Sequence, residues 1–239
     1  MKTKAAILFC LLAFVTLSTA AQDEPEYRLE LGAGAAMAAY QGDCGGGMFK
    51  KMQPLGALVA KYKPNPRTAW GAQLGFGKLK GASQNIGTWY PDLSGTPVEF
   101  NTSITNFDLR FEYNFWAFGT GREYRGARKL TPFITLGMGL IFASAKVTPL
   151  GQGEPRSEKP VAFQLPFGFG VKYKLANRLN LTVDWTMHFT GSDRLDGLKD
   201  PYGIKSTGIF KNTDCFTLLQ ASVTYDLWAK CKPCHNDRE

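Results

Sequence analysis

A stretch with strict two-residue periodicity, LNLTVDWTMHFT at 179–190, constrains the fold more than any other feature of the sequence. Apolar side chains occupy every second position from Leu179 to Phe189, and polar side chains such as Asp184 and His188 occupy the positions between them. This alternation predicts a β-strand with one apolar and one polar face. An ordinary soluble strand has about five or six residues, so the length of this one suggests a different environment.

The same alternation recurs along the chain and predicts eight strands. The clearest further strands are expected at 104–118, 161–174 and 217–228, and weaker strands rich in Gly and Ala at 26–40, 54–62, 69–80 and 131–146. Pro166 lies inside the sixth strand and predicts either a bulge or a local gap in the hydrogen-bond ladder. The long links are expected at 41–53, 81–103, 147–160 and 191–214, and short turns at 63–68 and 175–178.

The predicted fold class is all-β: an eight-stranded antiparallel up-and-down transmembrane β-barrel of the outer-membrane type. An even number of strands joined alternately by short turns and long loops is typical of this class. Eight strands leave a lumen only wide enough for side chains, so the polar face turns inward and the apolar face meets lipid. A soluble lipocalin-like carrier, with its apolar face inward, is the alternative. The predicted lumen charge network consists of Asp108, Arg110, Glu112, Lys172 and Asp184.

The first 21 residues are organised like a secretory signal peptide. A charged start, Lys2 and Lys4, precedes an apolar run at 5–17 and small residues up to Ala21. We expect residues 1–21 to be cleaved, residues 22–228 to form the barrel in the cell outer membrane, and residues 229–239 to form a short tail, with both termini in the periplasm. The chain has a formal net charge of +8, but its sequence contains no nucleic-acid-binding motif. We therefore expect no nucleic-acid partner.

Five stretches of the chain resemble the PorG-like outer-membrane barrels of Bacteroidetes, which are associated with the type IX secretion system. They are LELGAGAAMAAYQGD (29–43), KYKPNPRTAWGAQLGFGKLKG (61–81), FEYNFWAFGTGREYRGARKLTPFITLGMG (111–139), PFGFGVKYKLANRLNLTVDW (166–185) and SDRLDGLKDPYGIKSTGIFKNTD (192–214). The resemblance implies a barrel that works with a periplasmic ring of PorK- and PorN-like subunits and has no catalytic residues. We therefore expect a non-enzymatic structural or docking component of type IX secretion, without cofactor, metal or small-molecule substrate.

A small lipid-modifying enzyme of the outer membrane, similar to an acyltransferase, is the alternative function. Asp184 and His188 share the polar face of one predicted strand, and Ser192 and Asp193 follow near its end. Residues four apart along a strand are about 13 Å apart, so Asp184 does not orient His188 directly. We prefer the interpretation that His188 lies in the lumen with its hydrogen bonds satisfied.

Four cysteines follow the predicted signal peptide, and an even number in an oxidising compartment suggests disulfides. The first and last strands of a closed barrel are neighbours, which predicts a Cys44–Cys215 bridge at the outer rim; two unrelated thiols are the alternative. Cys231 and Cys234 form a CxxC pair before His235. A local disulfide or redox-active thiol pair is favoured there over haem attachment, which needs enclosure and axial ligands, and over a shared metal or an intermolecular contact.

The last long link carries a series of aspartates: Asp193, Asp196, Asp200 and Asp214. Clustered carboxylates could bind Ca²⁺. Their spacing is not that of an EF-hand, and Asp beside Gly and Pro is common in turns. We predict turns.

The link at 119–129 is rich in basic residues, with Arg122, Arg125, Arg128 and Lys129 against a single glutamate. On the predicted topology it faces the periplasm. It is either a solvated turn or a docking patch for an acidic surface of the secretion ring, steered by charge.

Overall fold

The structure is a computed structural model that describes residues 25, 27–42, 44–45, 49–83, 98–119, 127–150, 154–198 and 213–229. The strands within these residues are β1 (Tyr27–Gln41), β2 (Gln53–Asn65), β3 (Thr68–Ala82), β4 (Val98–Asn114), β5 (Leu130–Pro149), β6 (Arg156–Glu158), β7 (Val161–Ala176), β8 (Leu179–Thr190) and β9 (Cys215–Ala229). All of their pairings are antiparallel. No helix among the described residues is long and apolar enough to span a membrane.

The strands form one sheet that closes on itself. The last strand, β9, returns to β1 along a ladder that runs from Tyr27↔Ala229 to Gln41↔Cys215. β6 is only 3 residues long and pairs with the loop-side end of β5, so eight strands form the wall. The eight-stranded antiparallel barrel predicted from the alternation is confirmed.

The two ends of the barrel are built differently. The terminal rim is the end that holds Tyr27, Ala229, the turns at 66–67 and 177–178 and the strand ends next to the link at 115–129. The loop rim, at the opposite end, holds the strand ends next to the links at 42–52, 83–97, 150–160 and 191–214. Exposed aromatic side chains surround the terminal rim: Tyr62, Trp70, Tyr113, Phe115, Trp116, Tyr173 and Tyr225. Such an aromatic girdle is typical of a bilayer interface.

The wall has an apolar outer face and a polar inner face. On β5, the outward side chains of Ile134 and Leu136 are exposed, whereas the inward hydroxyl side chains of Thr131 and Thr135 are buried. An exposed apolar band around a closed barrel is the surface that meets lipid. The lipocalin-like carrier, which requires the opposite arrangement, is therefore wrong.

Three neighbouring strands extend past the apolar band at the loop rim. β4 begins at Val98 rather than at 104, and β5 ends at Pro149 rather than at 146. Outward positions in this extension are polar, as at Glu99 and Asn101. The apolar alternation stops where the lipid contact stops, although the hydrogen-bonded ladder continues, so the predicted strands ended too early. At its other end β4 stops at Asn114, before 118, because the following residues turn over the terminal rim.

Pro166 interrupts the ladder between β5 and β7 without a bulge. Pairing stops after Leu136↔Phe167 and resumes at Gly139↔Gln164 in the same register. Of the two outcomes predicted for Pro166, the local gap in the ladder is the one observed, because proline has no N–H to donate.

Leu136→Arg should destabilise the barrel, because it places a charge at the middle of the lipid-facing band, where Leu136 is 59% exposed. The expected loss is about 2–4 kcal/mol in the free energy of unfolding. Urea unfolding of the barrel in lipid vesicles would measure it.

Thr148→Arg is the matched control, because Thr148 faces outward on the same strand beyond the band. Its effect should stay within about 0.5 kcal/mol. Equal losses for both variants would show that the outward face of β5 does not meet lipid as described.

Candidate functional site: the barrel lumen and its two rims

Charged side chains from six strands fill the lumen. Equal numbers of acidic and basic residues turn inward and are buried: Glu30, Asp108, Glu112, Asp184 and Asp226 against Lys61, Lys63, Arg110, Lys172 and Lys174. A buried charge is costly unless it is paired. These ten charges balance formally, and they lie in three clusters.

Glu112 on β4 is the centre of the first cluster. Its carboxylate oxygens lie 2.9 Å from the Nζ atom of Lys61 on β2 and 2.6 Å from that of Lys172 on β7. Both ammonium groups also face the ring of Phe133, at 5.8 and 4.7 Å from its centroid. The cluster thus ties together strands that are not adjacent in the wall.

Asp226 on β9 is the centre of the second cluster, nearer the terminal rim. Its oxygens lie 2.7 Å from Lys63 Nζ and 2.8 Å from Lys174 Nζ. Lys63 also lies 2.8 Å from Glu30. The side-chain amide of Asn180 donates to both carboxylates. Each buried charge in this cluster therefore faces an opposite one.

Arg110 on β4 is the centre of the third cluster. Its guanidinium nitrogens lie 3.3 Å from Asp108 and 3.7 Å from Asp184. His188 is fully buried beside it, with Nε2 3.5 Å from the guanidinium and the ring stacked on Phe216 at a centroid distance of 4.4 Å. This environment makes His188 part of the lumen packing.

All five residues of the predicted lumen network lie inside the barrel and take part in these ion pairs. The residues that the sequence analysis missed are Glu30, Lys61, Lys63, Lys174 and Asp226. The sequence did carry a signal for their inward position, because each of them alternates with an outward apolar residue, as Lys61 and Lys63 do with Tyr62. In β1 and β2 the alternation is weak, since Gly and Ala occur at many of the positions.

Phe118, in the described part of the link after β4, covers the terminal end of the lumen. Phe118 is buried, and its N–H donates to the carbonyl of Pro66 at 3.0 Å. The Nζ atom of Lys174 lies 5.9 Å from the centroid of its ring. An aromatic side chain thus caps the charged clusters at this rim.

A folded part of the last link, residues 191–198, closes the loop end, and we call it the plug. Leu195 is buried there in an apolar cluster with side chains of the wall, including Leu55, Leu79, Phe100, Ile141 and Leu218. The Leu195 carbonyl accepts a hydrogen bond from Thr102 at 2.7 Å, and its N–H donates to Asp214 at 2.8 Å. Side chains therefore fill the lumen from one rim to the other.

Tyr40 on β1 joins the plug to the wall. Its hydroxyl contacts Asp214 and lies 3.1 Å from Asp196. Burial, and then the neighbouring Asp196 carboxylate, raise the pKa of Asp214 well above its ordinary value. Burial and the neighbouring carboxylate thus both favour the protonated form of Asp214, in which the two carboxyl groups repel each other less.

The aspartates of the last link act in turns and in the plug. Asp196 accepts the N–H of Leu198 at 2.9 Å, and Asp214 accepts that of Leu195. In the part of the chain that the structure describes, no group of three or more His, Cys, Asp or Glu side chains is arranged to hold a metal. The turn interpretation accounts for the contact of Asp196, which is two residues from Leu198, whereas Asp214 bridges to a residue 19 positions away. Asp200 lies outside the described residues.

The predicted Cys44–Cys215 disulfide is wrong, because both residues are thiols in the structure. Cys44 is buried in the apolar cluster inside the loop end. Cys215 immediately precedes Phe216, whose ring points into the lumen against His188, so its own side chain faces the outer side of the wall. The two strands are adjacent as expected, but the thiols lie on opposite faces of the sheet.

The geometry does not support the acyltransferase-like alternative. His188 contacts Arg110, Thr186 and Phe216 inside the wall. Ser192 uses its carbonyl to accept hydrogen bonds from the Thr190 hydroxyl and the Asp214 N–H. A buried histidine stacked on an aromatic ring is poorly placed to activate a nucleophile for lipid chemistry.

The basic link is described only in part. Arg128 is exposed, with its guanidinium 4.8 Å from the ring of Trp116. Lys129 is also exposed, and its carbonyl accepts the N–H of Lys174 at 2.7 Å. Arg122 and Arg125, like Cys231, Cys234 and His235 of the tail, lie outside the described residues.

Glu112→Gln should destabilise the barrel, because it leaves Lys61 and Lys172 buried without their shared counter-charge. Breaking a buried ion pair costs about 3–5 kcal/mol. Urea unfolding in vesicles, followed by tryptophan fluorescence, would measure the change.

Glu99→Gln is the control for this variant, since Glu99 lies exposed on the same strand. We expect it to change the free energy of unfolding by less than about 0.5 kcal/mol. A Glu112 variant as stable as the control would refute the structural role of the first cluster.

Comparisons with known proteins found similar solved structures and one matching family model. The chain is similar to the crystal structure of Neisserial surface protein A (15% identity, TM-score 0.47, 83% of this chain and 97% of that chain). It is also similar to Ail, the attachment invasion locus protein of Yersinia pestis (13% identity, TM-score 0.45, 84% and 99%). No curated protein matches the chain. A family model described as "Domain of unknown function (DUF6089)" matches residues 3–237, and the chain therefore belongs to the DUF6089 family.

Proposed function

We propose that this protein is a non-enzymatic outer-membrane barrel that acts as a structural or docking component of type IX protein secretion. The observation that carries the proposal is the filled lumen. With ion-paired clusters along its length and a cap at each end, the barrel offers partners only its rims and its outer wall. A rigid wall with a defined rim on each side of the membrane suits an anchor for other subunits.

We infer that the terminal rim faces the periplasm. Both ends of the wall, Tyr27 and Ala229, lie at this rim, and the longer links lie at the other. Outer-membrane barrels have short turns on the periplasmic side and longer loops outside. The proposal includes cleavage of residues 1–21 and a periplasmic tail at 229–239.

The charge of the terminal rim supports docking of an acidic partner. Within the described residues, the exposed charged side chains at this rim are all basic: Arg67, Arg128, Lys129 and Arg178. The acidic residues nearby, Glu30 and Asp226, are buried and paired with lysines. A surface of one sign steers and orients a partner of the opposite sign.

The resemblance to PorG-like barrels supplies the identity of the proposed partner. It points to PorK- and PorN-like subunits of a periplasmic secretion ring. The basic link at 119–129, whose sequence contains Arg122, Arg125 and the exposed Arg128, is the proposed contact. An acyltransferase-like activity has weaker support, because His188 is enclosed in the lumen.

Deletion of the gene should block export of type IX cargo. Cargo should accumulate inside the cell instead of in the culture fluid, because the secretion ring loses its outer-membrane anchor. Immunoblots of cell and culture-fluid fractions would measure this, and re-expression of the full chain should restore export. Normal secretion by the deletion strain would contradict the proposed function.

Charge reversal of the basic link should release the periplasmic partner from a folded barrel. The variant Arg122→Glu, Arg125→Glu, Arg128→Glu should recover at least about tenfold less PorK- and PorN-like protein in affinity purification, since both steering and contacts are lost. The variant Lys50→Glu, Arg156→Glu, Arg194→Glu, which reverses three charges at the loop rim, should recover as much as the wild type. Undiminished recovery with the link variant would exclude docking at this site.

A further inference from the structure

We propose that the outward face of β3, β4, β5 and β6 at the loop rim binds the phosphate groups of the glycolipid in the outer leaflet. This surface, which we call the lysine face, comprises Lys78, Lys80, Lys146 and Lys159. The proposal goes beyond the secretion function, and it shares with that function only the inference that the loop rim faces outward.

The strand register brings these lysines together. Two rows of facing residues cross this part of the sheet, with Lys78, Ser103 and Ser144 in the first and Lys80, Asn101, Lys146 and Ser157 in the second. Lys80 and Lys146 are two strands apart, which is about 10 Å. Lys159 directly follows β6. Extending the Ala145–Glu158 pairing by one residue places Lys159 beside Ser144, in the first row.

All four lysines lie on the outer side of the wall. Leu79 and Val147, which alternate with them, are buried in the apolar cluster inside the loop end. The lysines themselves are exposed. Their ammonium groups are therefore directed away from the lumen, toward whatever surrounds the barrel at this level.

The lysine face begins where the apolar band ends. Phe76 and Phe142 are exposed and lie in one row, joined through Thr105. Lys78 is two residues further along β3, about 7 Å toward the loop rim. Lysine extends its ammonium group on a four-carbon stem while the stem lies along apolar surface. This depth, next to the hydrocarbon boundary, is that of lipid headgroups, which favours a lipid over an acidic protein as the ligand.

The chemistry of the lysine face suits phosphate. Within the described part of the chain, none of its four lysines forms an ion pair, whereas the buried lysines of the lumen do. Serine and asparagine side chains between the lysines supply neutral hydrogen-bond donors. On the outward side of the sheet, the acid nearest in the register is Glu99, which lies one row further from the apolar band. Glu158 is closer along the chain, but it pairs with the buried Ala145 and so lies on the inward side of the sheet. Several unneutralised lysines at headgroup depth attract anionic lipid.

The test measures binding of diphosphorylated lipid A to the purified full chain in phosphatidylcholine nanodiscs by native mass spectrometry. The variant Lys78→Gln, Lys80→Gln, Lys146→Gln should bind at least about tenfold more weakly than the wild type, because each lysine near an anionic lipid contributes several-fold in affinity. Lipid A without phosphates should bind the wild type and the variant alike. Heat-modified gel mobility checks that each barrel is folded.

The matched control is Lys50→Gln, Arg156→Gln, Arg194→Gln, which removes the same charge from the same rim. Arg156 pairs with Val147 and so lies on the opposite side of the sheet, while Lys50 and Arg194 lie in other links. The control should bind lipid A as the wild type does.

Unchanged affinity of the lysine-face variant, or an equal loss in the control, would overturn the proposal. Tighter binding of phosphatidylglycerol than of lipid A would overturn the choice of glycolipid. The secretion proposal is untouched by any of these results, since the assay contains no secretion partner.

Discussion

A strand inside a membrane satisfies its backbone hydrogen bonds only with another strand, so the ladder between β1 and β9 is the interaction on which the rest of the structure depends. That ladder closes the wall at eight strands, and eight strands enclose a lumen only wide enough for side chains. In so narrow a space, a charge needs an opposite charge within reach. The clusters around Glu112, Asp226 and Arg110 meet this requirement, and by filling the lumen they leave the rims and the outer wall as the surfaces available to partners.

The wall was predictable wherever the alternation is uninterrupted. β8 has the bounds expected from its sequence, 179–190. Asp108, Arg110 and Glu112 of β4 lie in the lumen because the residues that alternate with them, from Phe107 to Tyr113, are apolar and turn outward. In β1 and β2, small residues occur on both faces, so Glu30 and Lys61 gave little local signal. The contacts of the plug and the thiol state of the two cysteines were not predictable from the sequence, for a different reason. The contacts of Tyr40 join residues 156 and 174 positions apart, and no local pattern encodes which side chain of a long link enters the barrel.

The two rims carry cations in different chemical settings. At the terminal rim, the guanidinium of Arg128 lies over an aromatic ring and that of Arg178 lies 5.2 Å from the ring of Tyr27, so these charges are held in place by flat surfaces. At the loop rim, the lysines alternate with buried apolar residues on long strands and are surrounded by serine and asparagine. Fixed guanidinium groups suit a protein surface with a set geometry, and mobile ammonium groups suit lipid headgroups that move.

The plug ties the beginning of the barrel to its end. Tyr40 belongs to the first strand, and Asp214 immediately precedes the last one. Any process that adds strands in chain order leaves this hydroxyl in contact with water until β9 arrives. Its burial therefore marks a finished molecule, since a barrel stalled one strand short lacks Phe216 and Leu218 and leaves the apolar cluster around Leu195 open.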